Sequence, residues 1–249
     1  MKSDYYESSP LLGQYLLLHY GKPAEILPWE GGPSGALDFP ARCAARLGRE
    51  RTGKETRRFL DLGCAVGRAT FEGLRWAGEA VGVDYSHAFI DTARILAKEG
   101  FLPYLRKDEG DMATELRAEV PPGLSTARAR FEWGDACAPG KDLGVFDAVL
   151  LANLLCRLPD PAACLRSLGD LVAPGGTVMI TTPCSWMEEF TPKAAWLGGV
   201  NGPTLEGVRR NMEPGFRLLA TEEMPFLIRE HARKFQWSVA QASLWERQV

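Results

Sequence analysis

A chain of 249 residues, 45% apolar and 24% charged, is long enough for one α/β domain with a sizeable core and has the make-up of an ordinary globular protein. Its 29 basic and 32 acidic residues leave a net charge of −3, without the basic footprint that a phosphate backbone requires, so nucleic acid is excluded as the expected partner. No apolar run approaches the roughly 20 residues of a membrane span, and the first residues carry no signal-peptide pattern.

The six cysteines (Cys43, Cys64, Cys137, Cys156, Cys164, Cys184) are scattered with no Cys-x-x-Cys pair. Neither a metal site nor a disulfide framework is expected, and a reducing, cytoplasmic setting is.

Residues 1–56 read as an N-terminal helical extension or lid on a domain formed by 57–249. Leu11 to Tyr20 suggests an amphipathic helix, with Leu12, Tyr15, Leu16 and His19 at helical spacing. Pro28 to Pro40 is a loop, and Asp38 is placed to cap a short helix through Arg42 and Ala45.

From Arg57 the rhythm becomes strand, turn, helix. Phe59–Leu62 is a strand ending in Gly63-Cys64-Ala65-Val66-Gly67, followed by a helix that faces Phe71 and Leu74 inward. Ala80–Asp84 is the second strand, and Ser86 caps a helix with Phe89, Ala93 and Leu96 on one face. Residues 101–127 are charged and contain Pro121-Pro122-Gly123, which reads as a solvated helix and then a loop.

Ala129–Trp133 is a third strand, followed by Gly134-Asp135-Ala136. Phe146–Leu151 is a fourth, leading to Asn153. Asp160-Pro161 starts a helix that buries Leu165, Leu168 and Val172 and stops at Pro174-Gly175-Gly176. Thr177–Thr182 is the fifth strand, and Phe216–Glu222 with Phe235–Leu244 form an antiparallel pair. Alternating strands and helices predict an α/β, Rossmann-like, doubly wound and mostly parallel sheet with a C-terminal antiparallel strand pair.

The chemistry lies at the strand ends, where ligands bind in open parallel sheets. A dinucleotide loop needs Gly-x-Gly-x-x-Gly with the pyrophosphate at a helix N-terminus. Here the spacing is Gly63-x-x-x-Gly67, with Ala65 where a middle glycine would stand and the acidic Asp61 just ahead. That carboxylate opposes a pyrophosphate and suits a ligand with an ammonium group. S-adenosylmethionine (SAM) fits: it lacks a pyrophosphate, and its sulfonium prefers carboxylates, carbonyl oxygens or aromatic faces.

Asp84, about twenty residues further on, can accept both ribose hydroxyls. Tyr85 can cover a face of the adenine, and Asp135-Ala136 can contact its edge.

These residues resemble the class I SAM-dependent methyltransferases over 57–182. A narrower resemblance covers nearly the whole chain: it is similar to the ovothiol-biosynthesis methyltransferases, which act on 5-thiohistidine (4-mercaptohistidine). Its carriers are Tyr6-Glu7, Leu16-Leu17-Leu18-His19-Tyr20-Gly21, Ala36-Leu37-Asp38-Phe39-Pro40, the loop from Asp61 to Arg68, and Met224-Pro225-Phe226-Leu227-Ile228-Arg229-Glu230-His231-Ala232-Arg233-Lys234-Phe235-Gln236-Trp237-Ser238.

The resemblance implies that Asp61, Gly63, Ala65 and Gly67, with Arg68 beside them, line the SAM methionine. It also implies that Asp84 holds the ribose, Asp135 and Ala136 the adenine edge, and Asn153 the rim near the transferred methyl. The expected product is an N-methylated thiohistidine ring, the last step of ovothiol biosynthesis. No synthase domain accompanies these residues, so another protein, a separate sulfoxide synthase, is the expected supplier of substrate.

Candidates around the acceptor are Tyr6, His19, Asn153, Arg157, Trp186, Glu188 and Glu189. Tyr6, His19 and Glu188 are the candidate catalytic groups. Arg157 is the expected cation for an amino-acid carboxylate, and Glu188 the group to hold an ammonium or take a ring proton.

Each candidate has a competing structural role. His19 lies on an apolar helical face, Trp186 can be packing, Arg157 and Glu188 can be surface residues, and His231 reads as a turn or interface residue.

Other acceptors (a different imidazole, a thiol, a carboxylate) and a SAM-binding module without chemistry remain as alternatives. Adenine-N6 methylation is disfavoured because Asn153-Leu154-Leu155-Cys156 lacks the Pro-Pro-aromatic sequence. An NAD oxidoreductase is disfavoured by the missing third glycine.

Overall fold

Apolar and β-branched runs set between glycine- and proline-bearing turns build the central sheet of a computed structural model that describes residues 9–200 and 202–249. Helices α1 (Ser9–Tyr20), α2 (Pro23–Ile26) and α3 (Phe39–Glu50) precede strand β1 (Arg58–Leu62). Then come α4 (Arg68–Gly73), β2 (Glu79–Asp84), α5 (His87–Glu99) and an inserted hairpin of β3 (Phe101–Glu109) and β4 (Met112–Glu119). The chain continues through β5 (Ala129–Trp133), β6 (Phe146–Ala152), α6 (Pro161–Leu171), β7 (Val172–Thr182) and α7 (Thr204–Met212). It ends in β8 (Phe216–His231) and β9 (Lys234–Arg247).

The large sheet runs β5-β2-β1-β6-β7-β9-β8, parallel except where β9 pairs with β7 and β8. Strand order reverses between β1 and β6, which opens a crevice beyond their carboxyl ends.

Both faces are buried, as parallel strands require. Leu60, Leu62, Val149, Leu151, Val178 and Ile180 face α6 and α7, where Leu165, Leu168 and Val208 meet them. Their neighbours Phe59, Ala148, Leu150 and Met179 face α3, through Cys43 and Leu47. Fully burying a Leu or Phe side chain contributes about 1.5–3 kcal/mol, so these two layers dominate stability. A third cluster joins α1, α5 and the inserted hairpin around Leu16, Phe89, Tyr104 and Phe131.

The predicted helix starts are present. Ser86 Oγ accepts from the Phe89 amide at 3.1 Å, and Asp160 Oδ1 from the Ala163 amide at 2.9 Å with Pro161 next in line. Asp38 occupies the N-cap position of α3, but its side chain makes no capping bond.

Three sequence expectations are corrected. Residues 101–119 are a hairpin turning at Gly110, not a solvated helix. One face, with Leu102, Tyr104, Leu116 and Ala118, packs against the domain, but Phe101 and Leu105 stand on the exposed face and Arg106 and Asp108 on the packed one, so the sequence shows no clean apolar period. Helix α1 is not amphipathic in practice: Leu16, Leu17, His19 and Tyr20 are all buried, because it packs against the hairpin as well as the body of the domain. Val172, expected inside a helix, is instead the first residue of β7.

The C-terminal strands are longer than their apolar cores suggest. Strand β9 pairs with β7 only from Gln241 to Glu246, opposite Thr182 to Thr177. Residues 224–240 of the hairpin therefore project past the end of β7, on the side where the parallel strands end.

Arg229, whose side chain is only 3% exposed, anchors that projection. Its guanidinium donates to Asp108 Oδ1 at 3.0 Å and to the Glu25 carbonyl at 2.9 Å. Arg106 donates to the same carbonyl at 3.0 Å, and the Ala232 amide to the Asp108 carbonyl at 2.9 Å. Segments far apart in sequence thus form one wall beside the crevice. Among the described residues, no helix is long and apolar enough to cross a membrane.

Candidate functional site

The turn after β1 is shaped by three left-handed residues in alternation, Gly63 (φ +81°), Ala65 (φ +47°) and Gly67 (φ +85°). Glycine takes this conformation freely, whereas alanine in it costs about 1–2 kcal/mol. At Gly67 a Cβ would also lie 2.6 Å from the Phe131 ring.

Four amides of this turn are engaged internally. Those of Gly63 and Cys64 donate to the Val83 carbonyl at 2.8 and 3.0 Å, that of Gly67 to the Cys64 carbonyl at 2.9 Å, and that of Ala65 to Asp84 Oδ2 at 2.8 Å. A phosphate nest needs such amides directed outward. This loop suits a ligand without a pyrophosphate.

Asp61 is 1% exposed, and its carboxylate faces α4, where the Thr70 hydroxyl donates to Oδ2 at 2.7 Å. Burial pushes its pKa up to about 7, the nearby Asp84 charge adds to this, and the Thr70 hydrogen bonds oppose it. Asp61 therefore braces the loop from behind. It is a weaker counter-charge for an ammonium than the sequence suggests.

Asp84 sits at the tip of β2. Besides the Ala65 amide it accepts from the Ser86 amide at 2.9 Å. A carboxylate offers roughly four acceptor positions, and ribose hydroxyls are donors that such a group accepts.

Tyr85 is 55% exposed, and its carbonyl is held by Trp133 Nε1 at 2.7 Å, so its ring stands at the strand tip as a stacking face. At the end of β5, Asp135 accepts from the Cys137 amide at 2.8 Å beside buried Ala136. The Gly134 amide bonds the Asp84 carbonyl at 3.0 Å, which ties the two tips together.

Across the switch point, Asn153 is left-handed (φ +53°) and held by buried Thr181, whose hydroxyl lies 3.0 Å from both its amide and its Oδ1. Arg157 donates through Nη1 to the Cys156 and Ser185 carbonyls at 3.1 and 3.2 Å and lies 4.9 Å from the Phe190 ring centroid. The same guanidinium carries further N–H groups on Nε and Nη2.

Trp186 packs against the core and donates Nε1 to Thr204 Oγ1 at 3.0 Å, so its role is packing. Glu188 and Glu189 are exposed in the loop that follows β7. His231 accepts the Arg233 amide in the turn of the long hairpin, the turn role expected of it.

Helix α1 covers the turn. Tyr20 donates its hydroxyl to the Val66 carbonyl at 2.7 Å, and buried His19 lies one residue before it. Burial, then the neighbouring Arg68 charge, lower the His19 pKa to about 3, so this imidazole is neutral at ordinary pH.

The Arg68 guanidinium contacts the His19 carbonyl at 2.8 Å and Glu72 at 3.0 Å through both Nε and Nη2. It clamps the C-terminal end of α1 to α4 beside the turn. Tyr6 lies outside the described residues.

Thr70, Thr181 and Trp133 were not legible as site residues: nothing in their spacing distinguishes them from core or surface positions.

The residues present fit SAM. Four of the five amides of the turn are taken up internally, an acidic residue stands at the ribose position, an aromatic face stands beside it, and a buried imidazole nitrogen of His19 lacks a partner among the described residues.

Comparison with known proteins agrees. A family model described as a methyltransferase domain matches residues 34–233. The ubiquinone biosynthesis O-methyltransferase of Alkalilimnicola ehrlichii is 32% identical over 146 residues, 59% of this chain and 47% of the relative. The chain thus spans about half the length of the curated relatives it matches.

Among solved structures, the magnesium protoporphyrin IX methyltransferase of Synechocystis PCC 6803 with bound SAM superposes with a TM-score of 0.61 at 14% identity, covering 99% of this chain and 95% of that one. The N-methyltransferase of Bradyrhizobium japonicum WM9 with S-adenosylhomocysteine gives 0.54 at 12% identity, covering 95% and 98%. At such identities the likeness is one of fold.

Proposed function

The chain belongs to the methyltransferase-domain family and is a SAM-dependent methyltransferase, and we propose that its acceptor is an imidazole ring nitrogen of 5-thiohistidine. The observation that carries this reading is the position of residues 224–238. This segment, the most specific part of the likeness to ovothiol-biosynthesis methyltransferases, projects past β7 on the ligand side and is pinned to α2 and the inserted hairpin. A sequence signature that forms a wall of the crevice is where acceptor selectivity belongs.

SAM, when bound, supplies a methyl group already activated by its sulfonium. What remains for the protein is binding, orientation and exclusion of water, and orientation alone is worth on the order of 7–11 kcal/mol in favourable cases. Asp84 and Tyr85 hold the nucleoside, and Ala136 packs at the adenine edge. Asn153, fixed by Thr181, sets the rim where the ring nitrogen approaches.

Arg157 is oriented by two carbonyls and Phe190, so its remaining N–H groups suit an amino-acid carboxylate. Exposed Glu188 suits the ammonium or the departing ring proton. The substrate would come from a separate sulfur-adding enzyme.

The curated relatives favour a second reading, methyl transfer to an oxygen, as their name states. Incubation of the protein with SAM and either 5-thiohistidine or a catechol, followed by mass spectrometry, separates the two. Gain of one methyl on thiohistidine is expected. Methylation of the catechol alone would remove the thiohistidine assignment and leave the reaction class intact.

A further inference from the structure

His19 presents a buried polar atom with nothing to bond. The residue is 8% exposed, and its Nδ1 is fully enclosed with no hydrogen-bond partner among the described residues. Buried polar nitrogens are ordinarily satisfied, and leaving one bare is unfavourable. Such a cost marks a place where a partner arrives later.

The surroundings say which partner. The end of α1 is fixed over the glycine turn by two bonds, Tyr20 Oη to the Val66 carbonyl at 2.7 Å and Arg68 Nη1 to the His19 carbonyl at 2.8 Å. On the other side the His19 ring lies 6.0 Å from Tyr15, which in turn stacks 4.8 Å from Phe89 at the start of α5.

The end of α1 that carries the imidazole thus packs between the turn at Gly63–Gly67 and the first turn of α5, beside the turn that would receive the methionine moiety. A protonated group here would meet both Arg68 and a cationic sulfonium, whereas a neutral imidazole can bond a ligand without repelling it.

We propose that His19 is a positioning residue whose Nδ1 hydrogen-bonds the amino-acid end of the bound nucleoside. This inference rests on the SAM assignment. It adds a contact from outside the parallel-strand tips, made by a residue on the covering helix.

The test compares two ligands by isothermal titration calorimetry. S-adenosylhomocysteine carries the amino-acid end, and 5′-methylthioadenosine lacks it. Losing a hydrogen bond to a charged group weakens binding about tenfold or more. His19→Leu is expected to lose S-adenosylhomocysteine affinity by that factor while binding methylthioadenosine as the unaltered protein does. His19→Gln, which restores a polar atom, is expected to recover most of the difference, and melting curves on both variants report folding.

Equal weakening toward both ligands would assign His19 a structural role and overturn the proposal. So would no weakening at all, or failure of Gln to do better than Leu. If the unaltered protein binds neither ligand, the SAM assignment itself has failed, an outcome distinct from these.

Discussion

The hydroxyl of Thr181 lies 3.0 Å from the backbone nitrogen of Asn153 and 3.0 Å from its Oδ1, so one buried oxygen joins the tips of β6 and β7. It accepts from the amide and donates to the side chain, which holds a left-handed residue in one rotamer at the mouth of the crevice. Sequence spacing places Asn153 there, and Thr181 is what keeps it in position.

Thr181→Val should therefore lower kcat about tenfold while leaving S-adenosylhomocysteine affinity within about twofold. The stability loss should be about 1 kcal/mol, the size of one net hydrogen bond. Steady-state kinetics with calorimetry checks this. A fall in cofactor affinity as large as the fall in kcat would show that Thr181 supports the nucleoside site instead.

Gly67→Ala should be among the most damaging single-methyl changes in the chain. It combines a left-handed φ of +85° with a Cβ 2.6 Å from the Phe131 ring. Strain and overpacking together should remove about 2–4 kcal/mol. Ala65→Gly should be close to neutral, because relief of the left-handed alanine offsets the added freedom of the unfolded chain. Thermal melts of the two variants make the comparison, and similar losses in both would contradict this account.

Asp61 makes stability depend on pH in an unusual sense. Its folded pKa is raised to about 7 from an ordinary 3.8, so between those values the folded protein keeps a proton that the unfolded chain has released. Stability should then fall as pH rises through this window, by at most about 1.4 kcal/mol per unit, and level off above about pH 7. Asp61→Asn should flatten the slope while keeping an acceptor for Thr70. Urea titrations at pH 5 and pH 7 read it, and an unchanged slope in the variant would rule Asp61 out as its source.

Asp108→Ala should strand the buried Arg229 guanidinium and cost about 3 kcal/mol, as breaking a buried ion pair does. Burial pushes the Asp108 carboxyl up. Bonds from Thr114 and Arg106, with the charges of Arg106 and Arg229, outweigh this and hold it below the usual range. A depressed folded pKa contributes stability above the unfolded value and loses it as pH falls below about 4. The acid-unfolding midpoint of Asp108→Ala should accordingly be less sensitive to pH there. Hydrogen exchange should accelerate first at Ala232, whose amide bonds the Asp108 carbonyl.

The parallel strands were legible because both their faces are buried, which produces the apolar runs at Phe59–Leu62 and Phe146–Leu151, each interrupted by a single aspartate. Ser86, Asp160 and Asp84 were legible because capping and strand-tip chemistry restrict residue type. The hairpin at 101–119 was not, since apolar Phe101 and Leu105 lie on its exposed face and charged Arg106 and Asp108 on its packed one, which masks the period. The wall could not be foreseen either. Arg229, Asp108 and Glu25 are near one another only through the tertiary fold, and local patterning carries no trace of such a meeting.

Arg229 and the Glu25 carbonyl are 204 positions apart in the chain. Closing so long a loop in an unfolded polypeptide would cost roughly 5 kcal/mol of entropy, whereas after the sheet has formed its two ends already lie side by side. Loop entropy therefore favours an order in which strands and crossover helices form first and the wall last. During synthesis the crevice stays open to solvent until the final hairpin has emerged, so a nascent chain holding only β1 to β7 presents the nucleoside tips without the enclosure that selects an acceptor.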